Sequence, residues 1–147
     1  MGAGTSVVVA LIFLTFLIIG AVIYPVFDYS RKLVKNAQDD LDTMKKTRMQ
    51  TDITITNSSF SDILGNVYLN ITLKNTGKTT LNASWLEIFI NGNYYSSYNL
   101  NPAGNYTWVP ENTMNISLYP MDYTSTAGGR IKVVTENGIS AYALAPG

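Results

Sequence analysis

Hydrophobic and polar positions divide this chain into three stretches, each with its own period. From Met1 to Phe27 no side chain is charged, and Val7–Phe27 is almost wholly apolar. A run of about 20 such residues is long enough to cross a hydrocarbon layer of roughly 30 Å as a helix. The next stretch, Asp28 to about Met49, is polar but compatible with a helix. In it Val34, Ala37, Leu41 and Met44 recur at spacings of three and four, which draws one narrow apolar seam on a charged helix. Asp28 with Lys32, and Asp42 with Lys46, are acid-before-base pairs that support such an exposed helix. Pro25 removes one backbone donor and predicts a kink near the end of the apolar run.

From Thr51 the period becomes two. Ile53 and Ile55 alternate with threonines, and Val67, Leu69, Ile71 and Leu73 alternate with Tyr68, Asn70 and Thr72, the pattern of half-buried strands. Lys74-Asn75-Thr76-Gly77-Lys78 supplies a turn, and Trp85–Ile90 follows as a strand. Asn91-Gly92 signals a tight hairpin before Tyr94–Tyr98. Tyr106–Val109, Asn115–Tyr119 and Arg130–Glu136 continue the series, and Asn137-Gly138 turns the chain into Ile139–Ala143. Seven or eight short strands at these intervals, with no helix-sized periodic segment between them, predict an antiparallel, immunoglobulin-like sandwich. The expected architecture is therefore an N-terminal transmembrane α-helix over 1–28, an amphipathic helical stalk over 29–50, and an all-β sandwich domain over 51–147.

Composition narrows the chemistry. The chain has no cysteine and no histidine, which removes disulfides, Cys/His metal sites and every Ser-His or Cys-His catalytic arrangement. Net charge is zero, but most basic residues (Arg31, Lys32, Lys35, Lys45, Lys46, Arg48) lie in the stalk. The distal domain is slightly acidic and has no basic stripe, which argues against a nucleic-acid partner. Asp39, Asp40 and Asp42 invite a metal or acid/base reading, yet adjacent helical positions splay apart, and a solvated face explains them. No spacing of residues implies an enzyme, a metal or a cofactor.

The apolar run reads as a retained anchor. A secretory signal or a prepilin-type leader calls for basic residues ahead of the run, and Met-Gly-Ala-Gly offers none. Side preference is contested within the chain itself. Arg31, Lys32 and Lys35 argue for a cytoplasmic domain. Five Asn-x-Ser/Thr sequons, at Asn57, Asn70, Asn82, Asn105 and Asn115, are candidate glycosylation sites of an exported one. The exported arrangement is preferred, although an Asn/Ser/Thr-rich chain also produces sequons by chance.

Two surfaces stand out as places where a partner can bind. The seam Val34, Ala37, Leu41 and Met44 rests either on the chain's own domain or on another helix, as a short coiled-coil stalk or a filament core. Tyr94, Tyr95 and Tyr98 cluster beside one hairpin, and tyrosine joins apolar area to a polar tip. They are the candidate partner surface, with ordinary strand decoration as the alternative. Trp85 and Trp108 read as core and rim packing.

Residues along most of the chain resemble the archaellum protein F family (FlaF, also ArlF), with the paralogous FlaG family close behind. In the anchor these are Ser6–Phe16, Tyr24, Asp28 and Ser30, and in the stalk Ala37, Asp40 and Arg48. In the domain they are Thr51-Asp52-Ile53-Thr54-Ile55, Lys74-Asn75-Thr76-Gly77, Leu86–Gly92, Trp108-Val109-Pro110 and the run Arg130–Ile139. Thr51-Asp52-Ile53 leans toward FlaG and the C-terminal strand pair toward FlaF. The resemblance implies a single-pass protein of the archaeal cell membrane whose sandwich faces the space beneath the surface layer. It also implies binding to surface-layer protein, association with a FlaG-like paralogue, and a share in the fixed part against which the archaellum rotates. Membrane lipid surrounds the anchor, and a homodimer through an edge strand or the stalk would double the contacts. The rival expectation is a pilin-like or archaellin subunit whose helix builds a filament core.

Overall fold

The computed structural model describes residues 3–101, 103–104, 106–119 and 121–147. Helix α1 spans Ala3–Gln50 as one element, with Pro25 inside it. Threonine and serine hydroxyls bond back to carbonyls one turn earlier, as Ser30 Oγ does to Val26 O at 2.9 Å. Of the two acid–base pairs expected on the helix, Asp28–Lys32 closes at 2.8 Å, while Asp42 and Lys46 are not within ion-pair distance of each other. Chain contacts divide the protein into two units, Met1–Met44 and Lys45–Gly147.

In the first unit the apolar side chains are open to the surroundings. Phe13 is 65% exposed and Phe16 69%, far above what a soluble core would leave. By length and composition this helix can cross a membrane; its apolar window has a mean hydropathy of 3.0 and is 0% buried.

Among the described residues the second unit holds the end of α1 and ten strands: β1 (Ile53–Ile63), β2 (Asn66–Asn75), β3 (Leu81–Asn82), β4 (Glu87–Ile90), β5 (Asn93–Tyr95), β6 (Tyr98–Asn101), β7 (Thr107–Trp108), β8 (Thr113–Leu118), β9 (Arg130–Val134) and β10 (Ser140–Leu144). They form two four-stranded antiparallel sheets, ordered β1-β2-β8-β6 and β10-β9-β4-β5, and a two-stranded β3-β7 ribbon. The order matches the A-B-E-D and G-F-C-C′ sheets of the immunoglobulin sandwich, so the expected fold class is the observed one. Ser58 Oγ on β1 donates to Leu144 O on β10 at 2.9 Å, bridging the two sheets along one side. The other side is bounded by the short edge strands β5 and β6.

The period-two pattern of the sequence becomes the core. Leu69, Ile71 and Leu73 on β2 stand opposite Leu118, Ile116 and Met114 on β8. From the other sheet Ile88 and Ile90 pair with Val133 and Ile131, and all ten are buried. Trp108 is 1% exposed, and its indole N–H donates to Asn112 O at 2.9 Å. Trp85 is the contrary case: it lies in a 3-10 turn (Ala83–Trp85) outside any strand and is 66% exposed.

Two hairpins follow from turn chemistry. Asn91 and Gly92 both take positive φ, 51° and 85°, and form the two-residue loop between Ile90 and Asn93. Glu136-Asn137-Gly138 is a three-residue loop closed by Thr135 N–H donating to Ile139 O at 2.9 Å. The expected strand Tyr94–Tyr98 is split instead. β5 belongs to one sheet and β6 to the other, because the chain crosses between them at Ser96-Ser97.

Candidate functional site

Where α1 ends, the chain enters the sandwich through a hydrogen-bonded junction centred on the buried Thr51 and Asn75. Gln50 O accepts from Lys78 N–H at 2.7 Å, and Asp52 O accepts from Thr76 and Gly77 N–H at 3.0 and 2.9 Å. Thr51 Oγ1 lies 2.8 Å from Thr79 Oγ1 and accepts from Asn137 Nδ2 at 2.9 Å. Beneath them Asn75, 0% exposed, donates through Nδ2 to Thr79 O and Trp108 O at 2.9 and 3.1 Å. Its Oδ1 accepts from Gly77 N–H at 3.1 Å. Gly77 is required here for close approach, since a Cβ would stand 2.6 Å from Gln50 O. Among the described residues no buried side-chain polar atom lacks a partner. The turn read in the sequence as a simple connection is thus the socket for the end of the helix.

The outer face of the β10-β9-β4-β5 sheet carries a row that crosses all four strands in register. Tyr94 pairs with Phe89, Phe89 with Lys132, and Lys132 with Tyr142. The Phe89 and Tyr94 ring centroids are 5.4 Å apart. Lys132 Nζ lies 5.7 Å from the Phe89 ring and 5.8 Å from that of Tyr142, and Arg130 sits 4.5 Å over Tyr142. Neither cation has a carboxylate within ion-pair distance among the described residues. The Tyr142 hydroxyl is held below the usual phenol range by a hydrogen bond to Ser140 and by the two cations. A shallow groove of about 380 Å³ runs beside the row, lined by Phe89, Asn91, Gly92, Arg130, Lys132 and Tyr142.

The three tyrosines singled out from the sequence part company here. Tyr94 is 57% exposed. Tyr95 pairs with Ile88 and packs on the core. The Tyr98 hydroxyl donates inward, lying 2.9 Å from Ala83 O and 3.1 Å from Leu86 O, and burial pushes its pKa up. Tyr94 and Tyr98 do share a groove of about 510 Å³ at the β5/β6 side, together with Ser84, Ser96, Asn99 and Tyr106. Tyr94 therefore joins this groove to the aromatic row. Phe89, Lys132 and Tyr142 were not visible as a set, because β4, β9 and β10 meet only through sheet register.

The opposite outer face has another chemistry. On the β1-β2-β8-β6 sheet Asn57-Thr72-Asn115-Asn101 and Ser59-Asn70-Ser117-Asn99 lie in two adjacent rows, all amides and hydroxyls. Three sequon asparagines, Asn57, Asn70 and Asn115, are thus on this face. Asn57 and Asn115 are exposed, whereas Asn70 donates to Ser61 Oγ at 2.8 Å and accepts from Ser117 Oγ at 2.6 Å. Asn82 caps the 3-10 turn, its Oδ1 accepting from Ser84 N–H at 3.0 Å. Asn105 lies outside the described residues. On α1 the seam residues Val34, Leu41 and Met44 are 59, 55 and 69% exposed, and Ala37 is exposed as well.

Comparison with solved structures finds two of related form in Sulfolobus acidocaldarius. The archaellum periplasmic stator protein FlaG is 19% identical with a TM-score of 0.48, the match covering 64% of this chain and 98% of that one. A chain of the archaellum periplasmic stator protein complex of FlaF and FlaG is 19% identical with a TM-score of 0.46, covering 63% of this chain and 86% of that one. No curated protein sequence matches the chain. The family model of archaeal-type flagellins matches residues 2–143, nearly the whole length, and the chain belongs to that family.

Proposed function

We propose that this protein is a non-enzymatic structural component of the archaellum motor, a stator element that ties the membrane to the surface layer. The observation that carries the reading is the junction at Gln50–Asp52. α1 ends at Gln50 and β1 begins at Ile53, and the residues between are bonded on both sides to the Asn75–Thr79 turn. A load on the end of the helix passes directly into the sandwich core, without a flexible linker. A tether needs that path, and it needs no reactive group.

In this reading Val7–Phe27 spans the archaeal cell membrane once and the sandwich lies outside the cytoplasm. Burial in lipid of apolar side chains such as Phe13 and Phe16 supplies the holding force, at roughly 25 cal/mol per Å2 removed from water. The face bearing Tyr94, Phe89, Lys132 and Tyr142 meets the surface-layer protein, its rings giving area and its two unpaired cations giving charge selectivity. The β5 and β6 edges are open to strand addition by a FlaG-like paralogue. The amide face carries glycans at Asn57 and Asn115 and stays free of partners. Family membership supports a second reading, a filament subunit whose helices pack into a fibre core.

Fractionation of native cells separates the two. Filaments are sheared off, envelopes are solubilised in mild detergent, and the full-length protein is followed by immunoblot. A stator element stays with the envelope and co-purifies with surface-layer protein, and a F89S/Y142S double variant loses that partner. Recovery chiefly in the sheared filaments would overturn the proposal in favour of the filament subunit.

A further inference from the structure

The apolar seam of α1 has a regular phase that bears on self-association. Assigning Val34 to heptad position a places Ala37 at d, Leu41 at a and Met44 at d, with Ser30 at the preceding d. Every charged side chain from Asp28 to Lys46 falls at another position, and Arg48, at the next a, ends the seam. Pro25 falls at f, on the side of the helix away from the seam. Val34, Leu41 and Met44 are more than half exposed, as is Leu33 at the flanking g position.

The flanks carry a charge code. Asp40 is at g and Lys45 at the following e. In a parallel, in-register pair a g residue faces the e residue five positions on in the partner helix, so Asp40 meets Lys45 of the other copy twice over. An antiparallel pair would set Asp40 against Asp40 and Lys45 against Lys45. Within the chain neither residue has an ion-pair partner among the described residues.

We propose that Val34–Met44 forms a parallel two-stranded coil with the same segment of a second copy. The inference rests on the reading that Val7–Phe27 spans a membrane. Two copies inserted from the same side are already parallel and in register. Confinement to the bilayer also raises their effective concentration, which a seam of two heptads needs to hold together. The occupant of the seam is thus another copy of this chain, and the second copy doubles the number of sandwiches held at one anchoring point.

The chain has no cysteine, so single-cysteine variants of the full-length protein are clean probes. V34C and L41C occupy a, while K32C and D39C occupy f on the opposite side. Each is purified, reconstituted into lipid vesicles and oxidised with copper phenanthroline. Flotation of the vesicles is measured first: protein that does not float refutes the membrane reading on which the inference rests. In floating protein, V34C and L41C should form disulfide dimers and K32C and D39C should not, because facing a positions come within disulfide reach. Adding D40K to L41C should lower the dimer yield, and adding K45D to that variant should restore it. Floating protein with equal yields at positions 39 and 41, or without dimers, overturns the coil, as does a charge swap that fails to restore the yield.

Discussion

The helix socket and the aromatic row are both built around strands of one sandwich, yet they spend their polar groups in opposite ways. At the socket every donor and acceptor of Asn75 is committed to the chain itself, with no exposure to solvent. Along Tyr94-Phe89-Lys132-Tyr142 the side chains meet one another through ring–ring and cation–ring contacts, and Lys132 and the neighbouring Arg130 have no carboxylate partner among the described residues. The socket has the composition of a part that must not move. The row has the composition of a part awaiting something else. Substitutions should therefore act on folding at the first and on association at the second.

The largest effect is expected at Asn75. Asn75→Ala takes the side-chain donor from Thr79 O and Trp108 O and leaves Gly77 N–H with Asp52 O alone, at a cost of about 3 kcal/mol. In a domain of this size that lowers Tm by more than about 10 °C, readable by circular dichroism of the detergent-solubilised protein. A variant that melts with the wild type would remove the contrast at its rigid end. Gly77→Ala comes next. Its new methyl group meets the Gln50 carbonyl and the Thr51 backbone, atoms that cannot swing aside, for an overpacking cost of about 1–3 kcal/mol. The same melt measures it, and a smaller loss than that of Asn75→Ala is expected.

At the row the fold should hardly respond. F89S/Y142S removes one ring–ring contact and three cation–ring contacts from an exposed face, worth less than about 1–2 kcal/mol together. Binding to surface-layer protein, followed by co-purification or surface plasmon resonance, should fall by about tenfold or more, as truncating interface aromatics commonly does. A variant that unfolds instead would make the row a structural feature like the socket. One that folds and binds unchanged would move the docking surface elsewhere.

Strand alternation, the Asn91-Gly92 hairpin and the long helix were legible in the sequence because each is written in neighbouring residues. What escaped needs contacts between distant ones. The β1–β2 hairpin turns at Leu64-Gly65, where Leu64 takes φ 55° while 97% exposed, and leucine carries no turn signal. Trp85 and Trp108 look alike in sequence, but one ends a 3-10 turn and the other fills the core. Asn75 and Gly77 were legible as a turn, whereas their role as a socket depends on Gln50 and Asp52 arriving from the helix. The row depends on β4 and β9 pairing across some 40 residues of intervening chain, so only Tyr94 of its members was singled out. Tyr95 and Tyr98, adjacent to it in sequence, turn toward the core by strand alternation and by the crossing between sheets.

Tyr98 lies between the two extremes and provides the finest test. It lines the groove beside Tyr94, yet its hydroxyl bonds inward to Ala83 O and Leu86 O. Burial raises its pKa above the ordinary 10.0, so the folded state holds this proton more tightly than the unfolded chain does. Its contribution to stability is fully present below pH 10 and is lost as the pH rises through the raised folded value. Near neutrality Tyr98→Phe should cost about 1 kcal/mol for the lost hydrogen bond. As the pH climbs from 10 toward 11.5, the Tm of the wild type should fall faster than that of the variant, and the gap between them should narrow. A constant gap would place the Tyr98 hydroxyl with the solvent-facing groups of the row rather than with the committed groups of the interior.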